Sequence, residues 1–100
     1  MSTALTFTTG HRPDGCAVLA ATGEIDMSNA HDFGTALADA LPADAASPLV
    51  VDLTGVEYLD SAGLAVLFPH VERLHLLAAP LLAPLLTIAG LDDLTTIVEA

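Results

Sequence analysis

The 100-residue chain has no tryptophan, no lysine and one cysteine. Each shortage excludes something. Arg12 and Arg73 are the only fixed cations against 13 acids, and the formal net charge is -11 at pH 7. Binding to a phosphate backbone runs on Lys and Arg displacing counterions, so sequence-independent nucleic-acid binding is excluded. The same charge favours solubility through self-repulsion and attraction to basic surfaces on a partner. Cys16 cannot make an intramolecular disulfide. In Cys16-Ala17-Val18-Leu19-Ala20 it reads as a core strand thiol, which suits a reducing cytoplasm. No charged segment followed by an apolar one opens the chain, so export is not expected. The glycines form neither a phosphate-binding loop nor a dinucleotide fingerprint, and no cofactor is expected.

What is present is apolar: 53% of the residues are hydrophobic. The length predicts one domain over residues 1–100, with one modest core. Ala4 to Thr8 alternates weakly, as an edge strand does. His11-Arg12-Pro13-Asp14-Gly15 is turn chemistry, and Cys16 to Thr22 completes a hairpin. Gly23 to Asn29 connects, with Asp26 or Ser28 as a helix cap. Ala30, Phe33, Leu37 and Leu41 recur at helical spacing. Pro42 to Pro48 is a loop. Leu74 to Ala78 predicts a strand, Leu81 to Ala89 a helix closed by Gly90, and Thr95 to Val98 a last strand. Strand-strand followed by helix-strand units predicts an α/β fold: a mixed sheet of four to five strands with helices packed on it.

The most informative stretch is Leu49 to Leu67, LVVDLTGVEYLDSAGLAVL. Leu49-Val50-Val51 with Leu53 is a short buried-strand pattern, and Thr54-Gly55 breaks it. Asp60-Ser61 then precedes a helix start. Ser61 has two readings. It is a good N-cap, accepting from free N–H groups of the first turn. It is also placed as a switch, because phosphorylation adds nearly two negative charges at an exposed helix start.

This stretch resembles the phosphorylation motif of STAS-domain proteins, in particular the bacterial anti-sigma factor antagonists. Asp52, Leu59, Asp60, Ser61, Ala62, Gly63 and Leu64 fit the pattern. Gly23-Glu24-Ile25-Asp26 matches a second family element, and Gly90-Leu91-Asp92-Asp93-Leu94 a third, in the family's order. The resemblance implies a protein that binds an anti-sigma factor with serine-kinase activity, releases a sigma factor, and is switched off by phosphorylation of Ser61. It implies that Asp26 and Asp60 lie near the serine, and that the partner meets Asp26, Asp60, Ser61, Ala62, Gly63 and Leu64. It leaves a second reading open, a non-switching STAS subunit scaffolding a larger complex such as a lipid-transport ATPase or a stress-sensing assembly. The chain departs from the family pattern between Ser61 and Pro80, which is roughly two helical turns shorter. Pro69 also falls inside the helix that starts at Ser61, where it ends or kinks that helix. A shortened helix exposes apolar surface, which predicts a homodimer or an obligate partner.

Three other chemistries are weaker. Ser61 with Asp60 and a distant histidine would form a hydrolase triad, but no Gly-x-Ser-x-Gly elbow exists, so the chain is read as no enzyme. His70, Glu72 and His75 invite a metal, yet positions five apart do not share a helix face, so no metal is expected. Leu74 to Leu91 is long enough to span a bilayer, but Pro80, Pro84 and Gly90 interrupt it and no basic cluster flanks it, so no span is expected.

Overall fold

The protein is described from a computed structural model covering residues 4–44, 46–90 and 96–99. Threonines and alternating apolar residues begin the sheet. Strand β1, Thr6–His11, pairs antiparallel with β2, Ala17–Ile25. Asp14 and Gly15 close the hairpin as expected. The Asp14 carboxylate accepts from the Cys16 N–H at 3.0 Å, and Gly15 adopts φ +90°, open to glycine without steric cost. Both strands end later than their local patterns predict, because pairing with a neighbour extends them. Cys16 lies just before β2 and is half-buried.

Helix α1, Ala30–Ala40, leads to β3, Leu49–Leu59, which pairs parallel with β2. The expected break at Thr54-Gly55 is absent: β3 runs straight through it. Gly55 lies opposite Thr22, and a Cβ there would come within 2.6 Å of Thr22 Cγ2. The ladder also shifts register between Ala20 and Thr22. The glycine therefore marks a close approach between strands at an irregularity, and the strand continues past it.

Helix α2, Ser61–Leu67, tightens into a 3-10 segment, Phe68–Arg73, and β4, Leu74–Ala78, follows at once. Pro69 explains the change. At the start of the 3-10 segment its missing N–H costs little, whereas further into α2 it would remove a hydrogen bond and crowd a carbonyl. Helix α3, Ala83–Ile88, and β5, Thr96–Glu99, complete the order. Gly90 ends α3 with φ +87° and donates to Thr87 O at 3.0 Å; Leu91-Asp92-Asp93-Leu94 and Thr95 lie outside the described residues. The apolar run from Leu74 thus divides into a strand and a short helix. Among the described residues no helix is long and apolar enough to cross a membrane.

The five strands lie in the order β1-β2-β3-β4-β5, with β2 to β5 parallel. Phe33 and Leu37 of α1, Leu67 of α2, and Leu82, Ala83 and Leu86 at α3 share one core cluster with Leu19, Val51 and Leu76 of the sheet. All three helices therefore occupy one face. The Phe7 ring of β1 stacks on Phe33 at 6.2 Å, tying the edge strand to α1. Each fully buried Leu or Phe contributes about 1.5–3 kcal/mol. Arg73 adds a polar tie. Its Nη2 donates to Pro42 O at 2.5 Å and to Asp44 O at 3.2 Å, fastening the α1–β3 loop to the 3-10 segment.

Candidate functional site

The site forms where β2 and β3 end. In parallel sheets such ends are where connecting loops converge. Asp60 donates its N–H to Ile25 O at 3.2 Å, which joins the start of α2 to the last residue of β2. Its Oδ1 accepts from the Ala62 and Gly63 N–H groups at 2.9 and 3.2 Å. Asp60 is thus the N-cap of α2, and Ser61 is the first helical residue. This corrects the capping reading of Ser61. A carboxylate one residue earlier, in extended conformation, already takes the first free donors. Ser61 is exposed, and its hydroxyl makes no hydrogen bond among the described residues.

Asp26 does not cap α1 with its side chain, and neither does Ser28. The Asp26 carboxylate accepts from the Ser28 hydroxyl at 2.5 Å and the Ser28 N–H at 2.8 Å, closing a local turn. The Ser28 hydroxyl chiefly, then the Ser28 N–H, hold the Asp26 carboxyl below its ordinary range. The residue that sequence reasoning missed is Asn29. Its Nδ2 donates to Glu24 O at 2.8 Å and its Oδ1 accepts from the Asp26 N–H at 2.9 Å, clamping the end of β2. Asn29 stands at the N-cap position of α1, yet its side chain makes no capping hydrogen bond and turns back to β2 instead, so the cap preference of Asn names the residue but not this role.

Gly63 is buried, while Ala62 and Leu64 are half-buried. A Cβ at Gly63 would overlap the Leu59 side chain and reach Ile25 Cγ2 at 2.8 Å. The glycine lets α2 sit close on the ends of β2 and β3, which holds Ser61 at the surface. His70 and Glu72 lie on the 3-10 segment and His75 on β4, and among the described residues no three potential metal ligands cluster. An open cavity of about 660 Å³ lies between the Gly15 turn and the Pro42–Pro48 loop, and none of its lining comes from the Ser61 end.

The cap is open to test. Asp60→Ala removes the acceptor for two N–H groups and is expected to destabilise the protein by about 0.5–2 kcal/mol, read by urea unfolding. Asp60→Ser, which can still cap, is expected to recover most of that. Equal losses in both variants would show that the cap contributes nothing.

This architecture places the molecule in the SpoIIAA-like α/β class. The structure of SpoIIAA in its unphosphorylated form superposes with a TM-score of 0.71, over 95% of this chain and 88% of that one. At 16% identity that likeness is one of fold alone. The chain belongs to the STAS-domain family: the family model described as Mlab, STAS domain, matches residues 9–99. It is similar to the anti-sigma-F factor antagonist RsfA of Mycobacterium tuberculosis, at 36% identity over 74 residues, 73% of this chain and 57% of that protein. The antagonist RsfB of the same organism is 39% identical over 61 residues, 61% of this chain and 49% of that protein. The chain therefore spans about half the length of these relatives. The crystal structure of an anti-sigma factor antagonist from Mycobacterium paratuberculosis superposes with a TM-score of 0.82 at 30% identity, over 94% of this chain and 85% of that one.

Proposed function

We propose that the protein is an anti-sigma factor antagonist whose binding is switched off by phosphorylation of Ser61. Unphosphorylated, it engages an anti-sigma factor that is also a serine kinase, and a sigma factor is released. The protein is the kinase's substrate and not an enzyme, and it acts in the cytoplasm. The observation that carries the reading is the state of Ser61. Because Asp60 does the capping, the serine hydroxyl is exposed and uncommitted at the first residue of α2. The likeness to RsfA and RsfB supports the choice of partner. The contact surface extends from Ser61 to Asp26, Asp60, Ala62 and Leu64, with Gly63 underneath as support.

The setting also explains how a phosphate would act. Ser61 follows Asp60, and one of the two arginines, Arg73, is committed to the carbonyls of Pro42 and Asp44. A phosphate beside a carboxylate, with no arginine cluster to receive it, disrupts a contact instead of building one. Incubation with a cognate anti-sigma factor and ATP, followed by phosphopeptide mapping, is expected to place one phosphate on Ser61 and none on the Ser61→Ala protein. Label on another residue would overturn the assignment. One further reading is a non-switching STAS subunit of a larger assembly such as a lipid-transport ATPase. Complete absence of label, with binding to such an assembly unaffected by Ser61 substitutions, would decide for it.

A further inference from the structure

The turn from β2 to α1 stands beside Ser61 and carries an exposed methionine. Ile25 and Leu59 are register partners on β2 and β3, strands about 4.8 Å apart, and Met27 and Ser61 stand two residues beyond them. The bond from the Asp60 N–H to Ile25 O keeps the two connections together. The turn is closely bonded. The Asn29 and Ala30 N–H groups donate to Asp26 O at 3.2 and 2.9 Å. The Asp26 carboxylate bonds to Ser28, and the Asn29 clamp to Glu24 and Asp26, complete the set. These bonds use the backbone and the side chains of Asp26, Ser28 and Asn29. The Met27 side chain is left out in solvent, 83% exposed. A single exposed apolar residue is ordinary. A large one held out by a fixed turn, next to a candidate partner contact, is how an anchor is presented with little ordering cost on binding.

We propose that Met27 is an apolar anchor for the same partner that engages Ser61, seating in an apolar pocket with a basic rim, and that Asn29 is the positioning residue that fixes the turn. The inference rests on the antagonist reading and adds residues outside the surface assigned there. Size selects the occupant. A standard interface covers about 800 Å² per partner, a disc of roughly 16 Å radius, so a protein seated on Ser61 also covers the turn. Charge describes the partner's surface. Glu24, Asp26, Asp32 and Asp60 gather at this end of the sheet, where β2 and β3 finish and α1 and α2 begin. Arg12, in the β1–β2 turn, and Arg73, just before β4, stand at the other end. A partner with basic groups around its pocket is attracted to this end. The unbranched, polarisable methionine then adapts to the shape of the pocket.

Calorimetry of the full chain against the purified anti-sigma factor kinase of the same organism tests it, with Met27→Ala, Met27→Leu, Asn29→Ala and the Met27→Ala, Asn29→Ala double variant. Met27→Ala is expected to bind at least about tenfold more weakly than the parent. Met27→Leu, which conserves volume and apolarity, is expected to bind within about threefold of it. Both alter an exposed side chain, so the urea midpoint stays that of the parent. Asn29→Ala is expected to weaken binding several-fold when Met27 is present and much less in the Met27→Ala background, because it acts through that side chain. A merely structural role of Asn29 would give the same factor in both backgrounds. Raising salt is expected to weaken binding by the parent. Unchanged affinity in Met27→Ala, equal losses in Met27→Leu and Met27→Ala, additive effects in the double variant, or affinity that salt leaves unchanged or strengthens would overturn the inference. The antagonist reading would still stand on binding and Ser61 phosphorylation of the parent. A parent that neither binds nor is phosphorylated would overturn both.

Discussion

Phosphorylation of Ser61 is expected to weaken binding of the anti-sigma factor by about 2–5 kcal/mol, roughly 30-fold to several-thousand-fold. The reasoning starts from exposure. Ser61 is accessible, and its neighbours Ala62 and Leu64 are half-buried, so a partner seated on α2 removes water from the hydroxyl. A hydroxyl survives that desolvation at modest cost. A phosphate carries close to two charges and needs donors. The first-turn donors of Ala62 and Gly63 already point to Asp60, and Asp60 itself repels the phosphate. Calorimetry with true phosphoprotein, unmodified protein and Ser61→Ala gives the comparison. Ser61→Ala is expected to bind as the unmodified protein does, and Ser61→Asp to lose part of the affinity, being a single charge on a shorter stem. Equal affinities for the phosphorylated and unmodified forms would rule out the switch.

Replacing Gly63 is expected to be the most damaging single change at the site. A Cβ overlaps Leu59 and crowds Ile25, and both of those side chains are buried, at 4% and 0% exposure, so neither can swing into solvent. Overpacking of that kind costs about 1–3 kcal/mol. For Gly63→Ala the better helix propensity of alanine returns up to about 1 kcal/mol. For Gly63→Val the second methyl branch and the lost rotamer freedom add to the strain, and the expected loss is about 3 kcal/mol. A domain of this size has about 5–15 kcal/mol in total, so that is a large fraction. Urea unfolding measures it. A Gly63→Val protein as stable as the parent would mean that α2 does not rest on β2 and β3 as closely as the structure places it.

Some of this was legible in the order of residues, because the rules involved act over a few positions. Pro69 lacks an N–H wherever it stands, so the end of α2 and the immediate start of β4 could be read directly. Gly90 and the Asp14-Gly15 turn are likewise local, each met by a positive φ. The alternation of strands and helices, and the ordered motifs from Gly23 to Leu64, carried the family and the sheet. Other features depend on residues far apart in the chain. Gly55 looks like a strand breaker beside Thr54, and only its pairing with Thr22 on a neighbouring strand makes it a close-contact position inside β3. Whether Asp60 or Ser61 caps α2 is a choice between adjacent residues that both qualify. The bond from Asp60 to Ile25 is part of the geometry that settles it in favour of the carboxylate and leaves the serine free. Arg73 reaching Pro42 and Asp44 is likewise a product of three-dimensional placement. Composition and spacing act along the chain and determined which elements form. Sheet pairing and side-chain packing act across it, and they decided which atoms those elements bury and which they present.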